Sequence, residues 1–222
     1  TSNFMEFIFF YKLFIDKTSY LLKSTGININ TSPVLDLRIK GTSNIIGDRA
    51  YSKDPKIASK IGDYCIEYFH KNGIGTVIKH IPGHGLAKVD SHNFTPVVNK
   101  KKNFLLNIDF AAFKNKKCFF AMTAHIIFDK IDSENTVTHS KKMINIIRNE
   151  VGFKNLLISD DISMKSLKGS VKENTIRTFN AGCNLVLHCN GNLKEMEIVG
   201  KNSPLINKFI LKKTSQFYKI LS

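Results

Sequence analysis

Residues 75–85 read Gly75-Thr76-Val77-Ile78-Lys79-His80-Ile81-Pro82-Gly83-His84-Gly85, and Asp90-Ser91-His92 follow within a few residues. An apolar run stops at a lysine and a histidine, and a Pro-Gly turn then brings a further histidine. A second run, Leu156-Leu157-Ile158, ends in the same manner at Ser159-Asp160-Asp161. Strands that finish in titratable side chains are typical of α/β enzymes, whose sites lie at the C-terminal ends of the strands. The two stretches together read as an enzyme, or the remains of one.

Outward from these stretches, short apolar runs alternate with segments of helical period. Helices are expected over 4–23, 54–72, 104–115, 140–150 and 172–181, and within the polar tail at 203–221. Asp54 is placed to cap the second, Pro55 suits its first turn, and Gly73 follows its end. Thr138 or Ser140 caps the helix that stops near Gly152, and Gly182 stops the one ending at Ala181. Strands are expected over 27–37, 76–80, 119–125, 156–160 and 184–188. Continuous apolar strands separated by helices imply parallel pairing with both faces covered. Each strand closes on polar residues, Asp36, Lys79-His80, His125, Asp160-Asp161 and His188 to Asn190. Five strands delivering such residues to one rim predict a (β/α)8 TIM-type barrel, incomplete, with about five of eight units in one domain over 1–222. The alternative, an open doubly wound sheet, has neither a GxGxxG loop nor a Walker sequence to accompany it.

Composition sets limits. The 222 residues, 42% hydrophobic and 23% charged, suffice for one domain with a real core. The net charge of +15 invites a nucleic-acid partner, but the lysines are dispersed and no helix-turn-helix, zinc-finger or RNA-recognition signature occurs. Abundant Lys, Asn, Ile and Phe with no Trp fit the codon bias of an AT-rich genome instead, so no nucleic acid is expected. Cys65, Cys118, Cys183 and Cys189 form no CxxC pair and sit in apolar surroundings, which reads as buried free thiols in a reducing compartment. The apolar start at 4–15 contains Glu6 and Lys12 and is too short to span a bilayer, so it reads as an amphipathic helix with no membrane role. The chain opens on Thr1 rather than Met, which is read as not being a natural start.

The motifs carry a resemblance. Ser32-Pro33-Val34-Leu35-Asp36-Leu37, Ile46-Gly47-Asp48-Arg49-Ala50-Tyr51, the Lys79 to Gly85 block with Asp90-Ser91-His92, Met122-Thr123-Ala124-His125, Ile158 to Met164 and Ala181-Gly182-Cys183 stand in order along the chain. In these the chain resembles bacterial β-N-acetylhexosaminidases of glycoside hydrolase family 3, the cytoplasmic enzymes of peptidoglycan recycling that remove N-acetylglucosamine from muropeptides. The resemblance implies Asp160 as nucleophile, His92 as general acid/base and Asp90 as its partner on a mobile loop. It implies Arg49, Lys79 and His80 as ligands of the sugar hydroxyls, a small carbohydrate substrate, and no metal or cofactor. A histidine suits the acid/base task because imidazole titrates close to neutral pH, and a nearby acid can fix its tautomer. Asp161 reads as structural, His84 as a brace of the Pro82-Gly83 turn, Asp36 as a brace of the rim and His188 as a core or rim histidine. His125 is left open between pocket wall and ligand.

The resemblance also implies what is missing. The family's barrel begins with three further strands and an Asp-Gln-Glu-Gly-Gly block whose counterpart does not occur here. Such a barrel would expose two strand edges and an apolar interior, and burying ~1,000 Å² of such surface is worth on the order of 25 kcal/mol. A companion fragment, self-association through the edges, or a catalytically impaired or purely sugar-binding remnant are the expectations that follow. A phosphorylase using the same residues stands beside the hydrolase reading. The common family-3 glucosidases, whose acid/base lies in a separate domain, do not fit the Asp90-Ser91-His92 loop.

Overall fold

The computed structural model describes residues 2–41 and 44–221; Thr1 lies outside them. In chain order the elements are α1 (Ser2–Ser24), β1 (Ile29–Asn30), α2 (Pro55–Lys71), β2 (Gly75–Ile81), β3 (Val97–Val98), α3 (Lys102–Asn107), β4 (Phe120–Thr123), β5 (Ile127–Phe128), α4 (Lys141–Asn149), β6 (Leu156–Asp161), α5 (Val171–Ala181), β7 (Leu185–Leu187), α6 (Leu193–Lys201) and α7 (Lys208–Tyr218). Five strands pair in the order β1-β2-β4-β6-β7, every pair parallel, which is the curled half of a barrel. The side-by-side order follows the chain, as crossover connections through helices require.

Local chemistry explains the helix boundaries. Asp54 caps α2 by accepting from the amides of Lys56 and Ile57, with Pro55 in the first turn. Ser140 rather than Thr138 caps α4. A reciprocal capping box between Ser170 and Glu173 starts α5, and Gly182, at φ 115°, ends it in a left-handed conformation.

Several expectations need correction. The strand expected over 27–37 is paired only at Ile29–Asn30 and by an isolated bridge at Val34, because Ser32–Pro33 breaks the run. The helix expected over 104–115 is the short α3 followed by a 3-10 turn at Ala111–Phe113. A two-stranded parallel sheet of β3 and β5, and the helix α6, had no counterpart in the sequence reading. Cys65, Cys118 and Cys183 are buried as expected, but Cys189 is exposed, since it lies past the end of β7 rather than within it.

Alternation along the strands divides the core in two. Leu35, Ile78, Ala121 and Leu157 pack outward on Ile66 of α2 and on Met143, Ile144 and Ile147 of α4. Val77, Phe120, Met122 and Leu156 face the concave side, where Ile210 and Phe217 of α7 cover them. The apolar interior is therefore not left to water: Val77, Phe120, Met122 and Leu156 are each buried. Phe217 reaches the first residue of β2 so closely that a Cβ on Gly75 would stand 2.5 Å from its ring, and its ring meets Phe119 and Phe120 edge-on. The tail helix thus plugs the N-terminal end of the half-barrel. The opposite end, where the strands finish, stays free of it.

Candidate active site

The polar strand ends gather at that opposite rim. Asp160 follows Leu156 and Ile158 in the two-residue alternation of β6, so it stands above them on the concave side. Its side chain is 20% exposed; one oxygen accepts from the Asp161 amide at 2.8 Å and the other lies 4.0 Å from Nε2 of His80. The β2–β4 ladder slips between Lys79 and Ile81, a bulge that re-aims the intervening His80. The Lys79–His80 and Ile81–Pro82 peptides are cis.

Asp36 holds this end of β2 together. Its fully buried carboxylate accepts from Nδ1 of His80 at 2.6 Å and from the amides of His80 and His84. Burial opposes its ionisation, but His80, the hydrogen bonds and His84 outweigh that, and its carboxyl lies below the usual range. With Nδ1 turned to Asp36, Nε2 of His80 faces Asp160. The brace expected of Asp36 is found, with the added feature that it aims a ring at the candidate nucleophile.

A second buried acid backs the turn. Asp109 accepts from the Gly85 amide, and a Cβ on Gly83 or Gly85 would meet it at under 3 Å, so both glycines are needed for the close approach. Burial first, and then the charge of Asp36, push its pKa up to about 8, which keeps it a neutral acid at neutral pH. Nothing in the sequence near Asp109 flagged it; only its distance from Asp36 across the fold gives it this role.

His125 is buried with both nitrogens engaged, Nε2 donating to the Asp161 carbonyl at 3.0 Å and Nδ1 accepting from the Thr138 hydroxyl at 2.7 Å. Burial lowers its pKa, which keeps that tautomer neutral. It holds the end of β6 that carries Asp160, and so is neither a wall nor a free ligand. Asp161 turns its carboxylate to Ser163 and to the Cys189 amide, the structural use expected of it. His188 donates to or accepts from Glu195 at 2.7 Å, a paired rim histidine.

Lys79 is half-buried and donates to Thr31 at 3.1 Å; burial and then Arg49 lower its pKa, while Asp160 and Asp36 oppose them. Arg49 therefore shares the rim with Lys79, although it is exposed and its guanidinium bonds the Ile45 carbonyl. Asp90 and His92 meet as expected: one Asp90 oxygen takes both the His92 amide and its Nδ1 at 2.8 Å. The pair stands in solvent beside the rim, with the His92 side chain 64% exposed. A hydrogen bond from buried His84 to Ser91, at 3.1 Å, ties the loop to the Asp36 cluster. The rim is open; a cavity of about 210 Å³ lies to one side of the loop, between Thr95, Ser166 and Arg177, and is not lined by Asp160.

A parallel half-barrel with carboxylates and imidazoles on its C-terminal rim is the catalytic face of a barrel enzyme. Residues 15–212 match the glycosyl hydrolase family 3 N terminal domain. The chain is 32% identical over 174 residues to a beta-hexosaminidase of Nitrosomonas eutropha, covering 76% of this chain and 50% of that protein. It is 30% identical over 210 residues to a beta-hexosaminidase of Photobacterium profundum, covering 90% and 62%. In structure it resembles NagZ from Neisseria gonorrhoeae, with a TM-score of 0.79, 28% identity, and 90% of this chain and 58% of that one covered. A family 3 beta-N-acetylglucosaminidase from Paenibacillus shares the fold at a TM-score of 0.80 and 23% identity, over 93% of this chain and 42% of that one. The chain belongs to glycoside hydrolase family 3. It spans about half the length of the beta-hexosaminidases it matches. Among the described residues, no helix is long and apolar enough to cross a membrane.

Proposed function

We propose that the chain is the catalytic-barrel domain, over 1–222, of a retaining β-N-acetylhexosaminidase that releases terminal N-acetylglucosamine from peptidoglycan-derived muropeptides in the cytoplasm. The observation that carries the reading is the 4.0 Å approach of His80 to Asp160, with His80 aimed by Asp36 and the Asp90–His92 pair tethered to the same cluster. In this reading Asp160 attacks the anomeric carbon while the His92 imidazolium gives its proton to the departing glycosidic oxygen. Imidazole then takes a proton from water as the water's oxygen displaces Asp160 from that carbon, which returns both groups to their starting states. Asp90 favours the imidazolium and fixes its orientation. His80, Lys79 and Arg49 hold the ring hydroxyls. A carboxylate needs a sugar seated above it, and the swing of the Asp90–His92 loop onto the rim completes the constellation.

Support comes from the naming of the relatives as beta-hexosaminidases and from the joint presence of these groups on one rim. The test is turnover of p-nitrophenyl N-acetyl-β-glucosaminide by the chain. Asp160→Ala abolishes it, and activity surviving that change would rule out the assigned nucleophile. A rate that rises with phosphate concentration would mark a phosphorylase.

The five-stranded sheet with open edges at β1 and β7 favours a second reading, a sugar-binding or catalytically impaired member of the family. Calorimetry with N-acetylglucosamine separates the two: binding without turnover supports the second. The open edges are where a companion segment or a second copy would pair.

A further inference from the structure

We propose that His84 and Ser91 form the latch that seats the Asp90–Ser91–His92 loop against the Asp36 cluster, which makes both of them positioning residues for the proton-transfer step. The inference rests on the reading of His92 as acid/base given above.

Three observations carry it. First, the loop is a self-bonded knot. Asp90 accepts from the His92 amide and ring through its side chain, and from the amides of Asn93 and Phe94 through its carbonyl. Such a knot moves as one body. Second, Ser91 is its buried member, at 4% exposure, whereas His92, Asn93 and Phe94 stand exposed. Its hydroxyl meets Nε2 of His84, itself 3% exposed, at 3.1 Å. Third, His84 is part of the site's frame. Its amide donates to Asp36 at 2.8 Å, and its ring stands edge-on to His80 with centroids 5.5 Å apart. One continuous path therefore runs from Asp160 through His80, Asp36 and His84 to Ser91.

A second anchor lies past the knot, where the Thr95 hydroxyl donates to the Ser166 carbonyl at 2.7 Å. Ser166 lies in the connection between β6 and α5, downstream of Asp160. The loop is thus tied at both ends to the two elements that frame the candidate nucleophile, and the knot between them is free to pivot. A single hydroxyl–imidazole bond is weak enough to open and directional enough to define the seated position. Burial holds the His84 pKa down at about 4, so the ring stays neutral and can keep this bond at working pH.

The discriminating variant is Ser91→Ala, which removes the hydroxyl from a loop and leaves the strands untouched; Ser91→Thr restores it. Two measurements on the full chain decide the matter. The first is the ratio of kcat/KM on a methyl N-acetyl-β-glucosaminide to that on the dinitrophenyl analogue, whose leaving group departs without a proton. The expected result is that Ser91→Ala lowers this ratio roughly tenfold or more, toward the loss His92→Ala produces, and that Ser91→Thr recovers it. A merely structural role would lower both rates alike and leave the ratio where it was, which would overturn the proposal. The second is amide hydrogen exchange over residues 88–94, expected to quicken roughly tenfold in Ser91→Ala with β6 unchanged. Unchanged exchange in the loop would also overturn it. If the parent chain shows no turnover, the functional reading fails, and the exchange measurement still decides the latch.

Discussion

Replacing Asp109 by asparagine tests whether this acid is held neutral. Its ionisation is opposed by complete burial and by the facing charge of Asp36, which place its pKa at about 8 in the fold against 3.8 in an open chain. Between those values the folded protein carries a proton that the unfolded chain has released, so stability falls as pH rises through the window. The slope for one proton is about 1.4 kcal/mol per pH unit. Buried His70, His84 and His139, each lowered to about 4, act with the opposite sign, but only up to about 6.5, above which they are neutral in both states. The interval from about pH 6.5 to about 8 therefore isolates Asp109, and the parent chain should lose about 2 kcal/mol across it. The substituted amide keeps an oxygen for the Gly85 N–H and cannot ionise, so urea unfolding of Asp109→Asn at half-unit pH steps should lack that loss. Parallel stability profiles for parent and variant would refute a neutral Asp109 and the electrostatic account of this turn with it.

Phe217→Ala removes a ring that is 4% exposed from the concave face and should cost about 3–5 kcal/mol in denaturant unfolding. A loss under about 1 kcal/mol would show that α7 does not seal the sheet. Of the four thiols, Cys189 alone is exposed, so a water-soluble thiol reagent should titrate one group in the native chain and four after unfolding. Ser170→Ala breaks the reciprocal cap of α5 and should cost about 1 kcal/mol, read from the unfolding midpoint; an unshifted midpoint would mean that the box contributes nothing.

Period, caps and strand-end polarity placed α2, α4, α5, β2, β4, β6 and β7 close to where they fold, because each depends on residues within a turn or two of one another. The segments 27–37 and 104–115 departed from that reading, since prolines and short-range turns interrupt apolar runs that look continuous in one dimension. The meeting of Asp90 with His92 was likewise legible, being a contact across two residues. What the tertiary structure decided was everything that depends on distant parts of the chain: that α7 fills the concave side, that Asp36 turns the His80 ring to Asp160, that His125 grips the end of β6, that His84 reaches Ser91, and that Asp109 is neutral. A residue's type states which bonds and charges it can offer. Burial and the direction of its neighbours, which no local pattern records, determine which of them it uses.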